Sequence, residues 1–258
     1  MHINILAVGD VVGKSGLDCV CRRLPSIIKM KNIRFTVVNG ENAAVLGLTP
    51  DMAEKVFDAG ADVITTGNHV WAKRDIIPYI DEMPNIIRPF NFAPHVPGRG
   101  YTVLERDFGI VLVANLIGRC GMDFGPDNPF LAADKLLREQ KADITLIDFH
   151  AEATSEKRAM GYYLDGRVTA LWGTHTHVQT SDAEVLPNGT GYVTDLGMTG
   201  PARSVLGVKP EQSINMFLNN PRERFEAAPG PCKLECAVFT VDAETGKTLE
   251  AEVLRIHD

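Results

Sequence analysis

The stretch Val168–His177 reads VTALWGTHTH, an apolar run followed at once by a glycine and two histidines. A short run of apolar, strand-forming residues predicts a buried strand, here Val168–Trp172. If the strand continues past Gly173, His175 and His177 point the same way, because side chains two residues apart share one face of a strand. Histidine is the commonest metal ligand among side chains. The pair by itself leaves metal binding and structural packing equally open.

Four other predicted strands end in the same way, with polar residues just after the apolar run. They are Ile3–Val8 before Gly9-Asp10, Arg34–Val38 before Asn39-Gly40-Glu41-Asn42, Asp62–Thr65 before Gly67-Asn68-His69, and Ile144–Ile147 before Asp148-Phe149-His150. Helix-like stretches of about ten to twenty residues separate the strands, which is the pattern of an α/β fold. The carboxyl ends of the strands of an open α/β sheet share one edge, where ligands bind. We therefore expect all these motifs at one edge of a sheet.

Three later apolar runs predict strands of a more antiparallel character. They are Tyr192–Thr194, Leu234–Thr240 and Leu249–Ile256, and we expect them to form a second sheet packed on the first. No repeat or linker-like tract divides the chain, so the prediction is a single domain over residues 1–258.

Composition argues against several classes of protein. The 258 residues include 26 Lys and Arg against 33 Asp and Glu, a formal net charge of -7, and no basic run is longer than two residues. Binding to duplex nucleic acid is therefore not expected. The apolar runs are too short to span a membrane and no secretory signal is evident, so we expect a cytoplasmic protein that does not bind membranes. The five cysteines form no CxxC pair, which argues against a disulfide framework or a zinc ribbon.

The polar residues at the strand ends offer carboxylate, amide and imidazole groups and no thiolate. They are Asp10, Glu41, Asn42, Asn68, His69, His150, His175 and His177. This mixture suits a borderline divalent metal such as manganese, iron, cobalt or zinc. A lone Asp or Asn after a strand is usually a turn former or a helix cap. Because the same placement recurs at five strand ends, a shared metal site is the favoured interpretation.

In this order, the motifs resemble those of the calcineurin-like metallophosphoesterases, and most closely those of their YmdB-like branch. The shared blocks cover nearly the whole chain: GDVVG (Gly9–Gly13), NGENAA (Asn39–Ala44), GNHVW (Gly67–Trp71), DFHAEATSEK (Asp148–Lys157), GTHTHVQT (Gly173–Thr180) and TDLGMTGP (Thr194–Pro201). Two positions depart from the general pattern but agree with the branch. Val12 stands where the histidine of an Asp-x-His would be, and Glu41 where an aspartate is usual. The missing histidine argues against protein phosphatase activity.

The resemblance implies a layered sandwich of two packed mixed sheets flanked by helices, with two divalent or mixed-valence metal ions. It assigns one metal to Asp10, Glu41, Asn42 and His177, and the other to Glu41, Asn68, His150 and His175. Iron or manganese is the expected metal, with zinc or cobalt as alternatives. His69 is expected to face the substrate as a general acid, because the ordinary pKa of histidine is near neutral. The alternative is a histidine that only hydrogen-bonds.

The activity implied by the resemblance is that of a phosphodiesterase for small cyclic nucleotides, with 2',3'-cyclic nucleotides as the expected substrates. Two alternatives stay open: a phosphomonoesterase or protein phosphatase, and a metal-dependent regulatory protein that senses a nucleotide. Two bound cations would outweigh the two carboxylates among the ligands, so an acidic chain can still receive a phosphoester. Residues that contact the rest of the substrate are not identified from the sequence, and a homo-oligomer remains open.

Three acidic residues near the motifs have no assigned ligand role. Asp148 and Glu152 flank His150 and either orient imidazoles or cap the surface. Asp195 follows the predicted strand Tyr192–Thr194 and is expected to be structural.

Overall fold

The computed structural model describes residues 1–123, 125–221 and 223–258. The helices among them follow the predicted helix-like stretches: α1 (Gly13–Met30), α2 (Pro50–Asp58), α3 (Ile76–Glu82), α4 (Pro129–Glu139), α5 (Thr154–Leu164) and α6 (Pro210–Phe217). None of the helices in this part of the chain is both long and apolar enough to cross a bilayer.

Eight strands form the first sheet: β1 (His2–Val8), β2 (Asp10–Val11), β3 (Ile33–Asn39), β4 (Val63–Thr65), β5 (Ile86–Ile87), β12 (Met198–Pro201), β13 (Cys232–Asp242) and β14 (Lys247–His257). Their order is β2-β12-β13-β1-β3-β4-β5, with β14 paired to β13. Strands β1, β3, β4 and β5 run parallel, whereas β13 is antiparallel to β1. The sheet is therefore mixed.

Six strands form the second sheet: β6 (Tyr101–Arg106), β7 (Gly109–Ile117), β8 (Ile144–His150), β9 (Ala170–Thr174), β10 (Glu184–Val185) and β11 (Gly191–Val193). Their order is β10-β11-β9-β8-β7-β6. Strands β7, β8, β9 and β11 are parallel, and the two edge strands are antiparallel to their neighbours.

The two sheets pack face to face through a buried apolar layer, in which Trp172 of β9 stacks on Phe239 of β13 with ring centroids 5.9 Å apart. The outer face of the first sheet is covered by α1, α2 and α3, and that of the second by α4 and α5. Helices α1 to α4 each bury apolar residues on the face that packs against a sheet, as expected for amphipathic helices. The predicted sandwich of two mixed sheets flanked by helices is confirmed.

Two of the three late strands, β13 and β14, lie in the first sheet, so the prediction that they form the second sheet was wrong, whereas β11 does belong to the second sheet. Residues Cys236–Asp242 of β13 pair with the whole of β1, with Ile5 opposite Phe239, so β13 extends the first sheet. Strand β3 occupies one side of β1, and the other side is free for a second neighbour. Strand β13 can take this central place because it is apolar on both faces. Strand β11 is also parallel to β9 rather than antiparallel. The second sheet is built instead from the middle of the chain, including β6, which the apolar pattern did not predict.

A buried ion pair fixes the end of the second sheet that carries the two histidines. Lys157 of α5 and Asp195, which follows β11, are both buried, and their Nζ and Oδ2 atoms are 2.6 Å apart. The same Oδ2 accepts hydrogen bonds from the Thr176 backbone N (3.2 Å) and hydroxyl (2.8 Å). Asp195 is therefore structural, as expected, and it holds the residue between His175 and His177.

Replacing Lys157 by Met should lower the free energy of unfolding by about 3–5 kcal/mol, because the Asp195 carboxylate would stay buried without its cation. Urea denaturation at neutral pH measures the change. Lys14→Met is the matched control, since Lys14 pairs with Asp18 on the exposed surface of α1 and should contribute less than about 1 kcal/mol. Equal effects of the two substitutions would contradict the assigned role of the buried pair.

Candidate metal centre

The polar motifs meet where the two sheets come together, rather than along one edge of a single sheet. The first sheet contributes Asp10 in β2, Glu41 and Asn42 after β3, and Asn68 and His69 after β4. The second sheet contributes His150 at the end of β8, and His175 and His177 after β9. The expectation of one shared sheet edge was wrong because the strands belong to two sheets. The expected convergence nevertheless occurs across the interface between them.

Four of the expected ligands meet at one atom, Nε2 of His150. Asn68 Oδ1 is 2.9 Å away, His175 Nδ1 3.0 Å and Glu41 Oε1 3.2 Å. One ring nitrogen carries at most one proton, so it cannot donate to three acceptors at once. Glu41, His150 and His175 also present their ligand atoms within 4.8 Å of one another. This spacing suits a shared cation.

Hydrogen bonds fix which nitrogen of His150 carries a proton. The Thr174 hydroxyl donates to Asp148 Oδ1 (2.7 Å), so its oxygen accepts from His150 Nδ1 (2.9 Å). Nδ1 therefore holds the proton, and the lone pair of neutral His150 lies on Nε2. Asp148 acts through Thr174 to aim His150 into the cluster.

His175 is oriented in a complementary way. Its Nε2 lies 3.3 Å from Glu152 Oε2, which leaves Nδ1 as the nitrogen that faces His150. Two neutral imidazoles would then point lone pairs at each other across 3.0 Å. This arrangement is repulsive unless a proton or a metal ion lies between the two nitrogens.

The pKa shifts of the cluster residues indicate which of them carry a charge. Burial disfavours the His150 imidazolium, but Glu41 outweighs burial and raises the pKa of His150 to about 9. Burial also opposes ionisation of Glu41, yet the charge of His150 outweighs it and lowers the pKa of Glu41 to about 2. Burial, together with His150, lowers the pKa of His175 to about 3. The cluster thus favours one positive charge at His150 and a neutral ring at His175.

A second group lies beside the first and contains Asp10, Asn42 and His177. The His177 Nδ1 donates to the Leu206 carbonyl (2.9 Å), so its Nε2 lone pair faces the cluster. That Nε2 is 3.9 Å from Asp10 Oδ1. Asp10 is fully buried, and its Oδ1 has no hydrogen-bond partner among the described residues. Burial raises the pKa of Asp10 to about 7, although His177 opposes this. An unpartnered buried carboxylate oxygen beside an imidazole lone pair has the chemistry to hold a cation.

Asn42 points its amide NH₂ at the cluster. Nδ2 donates to Glu41 Oε1 (3.0 Å) and contacts His177 Nε2 (3.2 Å). A metal is held by the amide oxygen, so the ligand role predicted for Asn42 requires its side-chain amide to turn over.

Gly67 leaves the space in which the ligands converge. A Cβ at this position would lie 2.2 Å from Glu41 Oε2 and 2.5 Å from His150 Nε2. No side chain fits there, so the glycine of the Gly67-Asn68-His69 motif is required by close approach to the cluster.

The rings of His175 and His177 both point to the cluster, but strand alternation is not the reason. Strand β9 ends at Thr174, and both histidines have left-handed backbone, with φ of 101° and 61°. Such values are uncommon outside glycine and cluster at functional sites. The turn brings both rings to the cluster, so the predicted convergence is correct while its predicted cause was wrong.

His69 lies at the rim, half-buried, in the cavity that the cluster residues Glu41, Asn42, His175 and His177 also line. Its backbone N donates to Glu41 Oε2 (3.3 Å), and its ring Nε2 accepts from Asn68 Nδ2 (3.3 Å). His69 therefore faces the space beside the cluster and contributes no ring atom to the convergence at His150.

Two contributors were left open or missed by the sequence. Asp148 is fully buried, so it cannot be a surface cap, and it orients His150 through Thr174. Thr174 itself was not singled out, although its place inside the GTHTHVQT block, next to His175, was a usable signal. Val12 is buried and packs against Gly200 and Gly207. Apolar packing thus fills the position where the wider superfamily has a histidine.

Comparisons with known proteins agree with this architecture. The family model described as "YmdB-like protein" matches residues 6–254. A 2',3'-cyclic-nucleotide 2'-phosphodiesterase of Bacillus subtilis (strain 168) is 45% identical over 99% of this chain and 98% of its own length. The crystal structure of a hypothetical protein from Thermus thermophilus superposes with a TM-score of 0.93 at 38% identity, covering 99% of this chain and all of the other.

A further solved structure, titled a novel phosphatase from Mycoplasma pneumoniae, has a TM-score of 0.95 at 35% identity and covers 100% of this chain and 94% of its own. These matches confirm the predicted recognition and the prediction of a phosphoester-hydrolysing enzyme. The chain belongs to the YmdB-like protein family.

Proposed function

We propose that this protein is a phosphodiesterase that hydrolyses small cyclic nucleotides, 2',3'-cyclic nucleotides above all, with two divalent metal ions held at the cluster. The observation that carries the proposal is the pair of imidazole nitrogens, His150 Nε2 and His175 Nδ1, which lie 3.0 Å apart. A hydrogen bond to Thr174 orients the His150 ring, and the contact of His175 Nε2 with Glu152 orients the other ring. The activity named for the B. subtilis relative, which matches over nearly the full length of both chains, supports the choice of substrate.

The residues present fit such a pair of metals. One ion would be held by Asp10, Glu41, Asn42 and His177, and the other by Glu41, Asn68, His150 and His175. The unpartnered Asp10 Oδ1 and the space beside Gly67 support this division. Imidazole, carboxylate and amide donors without a thiolate favour iron or manganese and are compatible with cobalt and zinc. Bound there, the ions would polarise the phosphoester and lower the pKa of a water molecule towards neutrality.

His69 is proposed to protonate the departing oxygen. In the neutral ring Nε2 accepts from Asn68, so the proton is on Nδ1. The imidazolium needed for an acid has a second proton on Nε2, which would face the Asn68 NH₂ group. The acidic form therefore has to turn away from Asn68, and the cavity that His69 lines gives it room to do so.

Two alternatives remain, a phosphomonoesterase or protein phosphatase and a regulatory protein that binds a nucleotide without turnover. Protein purified without oxygen should be analysed for metal and assayed on adenosine 2',3'-cyclic phosphate, adenosine 3',5'-cyclic phosphate and a phosphopeptide. Turnover highest on the 2',3'-cyclic substrate supports the proposal. Preference for the phosphopeptide would indicate the first alternative, and tight binding without hydrolysis in metal-replete protein would indicate the second.

Asp10→Ala or His177→Ala should remove one of the two metals while the other stays bound, because each residue is assigned to one metal only. Elemental analysis of the purified variants measures the metal content per chain. Asp18→Ala is the matched control, since Asp18 lies on the exposed surface of α1. Full metal content in both cluster variants would refute the assigned ligands.

His69→Ala should keep both metals and lose roughly 10²–10⁴-fold in kcat on a 2',3'-cyclic nucleotide, whose ribose oxygen needs a proton to leave. The loss should be much smaller on bis(p-nitrophenyl) phosphate, because nitrophenolate leaves without one. His95→Ala, at an exposed position outside the cluster, is the control. If metal content falls together with activity, the assignment of His69 as the acid is refuted.

A further inference from the structure

The cluster forms only one side of a cavity of about 750 Å³. That volume is in the range of pockets that enclose a whole small-molecule ligand, and it far exceeds what a phosphate group alone requires. The rest of its lining includes three short segments that contain Val45 and Leu46, Leu206 to Val208, and Arg224 to Ala227. A large part of the cavity is therefore available for the remainder of the substrate.

These three segments, called the wall below, expose large apolar side chains next to the highly polar cluster. Leu46 is 50% exposed, Leu206 47% and Phe225 39%. Apolar side chains gathered at a cavity mark a binding surface more often than scattered ones do. Phe225 is the only one of the three with a flat aromatic face.

The Gln212 side chain holds the backbone on both sides of Phe225. From α6, its Nε2 donates to the Arg224 carbonyl (2.9 Å) and its Oε1 accepts from the Glu226 N–H (2.9 Å). Gln212 is nearly buried, at 9% exposure. The Gln212 amide makes the two backbone hydrogen bonds that a paired strand would otherwise make. It therefore fixes the segment that carries Phe225 at the lining of the cavity.

The same wall is tied to the cluster. The segment 207–209 pairs with 226–228 through hydrogen bonds of Lys209 N to Glu226 O (3.1 Å) and Ala228 N to Gly207 O (2.9 Å). One residue earlier, the Leu206 carbonyl accepts from His177 Nδ1 (2.9 Å). The position of the wall is thus set relative to a proposed metal ligand.

We propose that Phe225 is the stacking platform for the nucleobase of the substrate, and that Gln212 is the residue that positions it. The inference rests on the proposed function, because it takes the cluster as the site of the phosphoester. A nucleobase is the part of a nucleotide that is flat and largely apolar on its faces, and an aromatic ring binds any base in this way. The wall therefore selects for a nucleoside attached to the phosphate rather than for the phosphate alone.

The test compares two substrates, adenosine 2',3'-cyclic phosphate and the base-free methyl riboside 2',3'-cyclic phosphate, in metal-replete protein. In the wild type kcat/KM should be higher for the nucleotide. Phe225→Ala should reduce the ratio of the two kcat/KM values by roughly tenfold to hundredfold, mainly through KM of the nucleotide. Phe225→Tyr, which retains the flat ring, should restore the ratio.

Gln212→Met keeps the length of the side chain but removes both hydrogen bonds. It should raise KM for the nucleotide with little change in kcat, as expected for a residue that positions the ring. Phe217→Ala is the matched control, since Phe217 is 76% exposed on α6 and does not line the cavity. It should leave the ratio unchanged.

The outcomes separate this inference from the function on which it rests. A wild type that hydrolyses neither substrate would refute the proposed function. A wild type equally active on both, or a Phe225→Ala variant that lowers both equally, would overturn the role of Phe225 and leave the proposed function intact.

Discussion

The buried carboxylate of Asp148 joins the two sheets at the end where the cluster lies. It accepts hydrogen bonds from Asn39 and Thr65 of the first sheet and from Thr174 of the second. Burial raises the pKa of Asp148, while its donors favour the charged form. Several residues of the cluster follow directly from this junction: Glu41 comes after β3, Asn68 after β4, and His175 and His177 after β9. Asp148 thus sets both the spacing between the sheets and the direction of His150.

The cluster is a costly element of the fold. Buried carboxylates and imidazoles lose hydration, and the His150 and His175 nitrogens, 3.0 Å apart, would repel each other if both rings were neutral. The fold tolerates this because Glu41 and His150 form a buried pair at 3.2 Å, with the pKa of each moved towards its charged form. The Glu41–His150 pair thus offsets part of the cost of burial in the first group of the cluster. Asp10 Oδ1 has no such compensation among the described residues, so the second group supports a cation site independently of the first.

The sequence predicted the strand-end residues well because each follows an apolar run that forms a strand. It could not assign the strands to two sheets. Strands β13 and β9 are both apolar runs, and the sheet that each one joins depends on which strands have an unpaired edge in the folded protein. The left-handed backbone of His175 and His177 was also beyond reach, because it is imposed by Asp195 holding Thr176 from across the sheet. Lys157 reads as an ordinary surface lysine of a helix, and only the packing of α5 shows that it is buried. Substrate contacts were missed because Phe225 lies on a segment without periodicity.

The charged side chains that line the cavity outside the cluster do not by themselves attract a phosphoester. Lys73 and Arg224 line the cavity, but so do Glu152 and Glu226, and these charges offset one another. Any attraction for phosphate must then come from the cluster itself, where Asp10 and Glu41 bring negative charge of their own. A phosphoester at this site is therefore favoured only when cations outnumber those carboxylates, so binding of the phosphate end depends on metal whereas stacking on Phe225 does not.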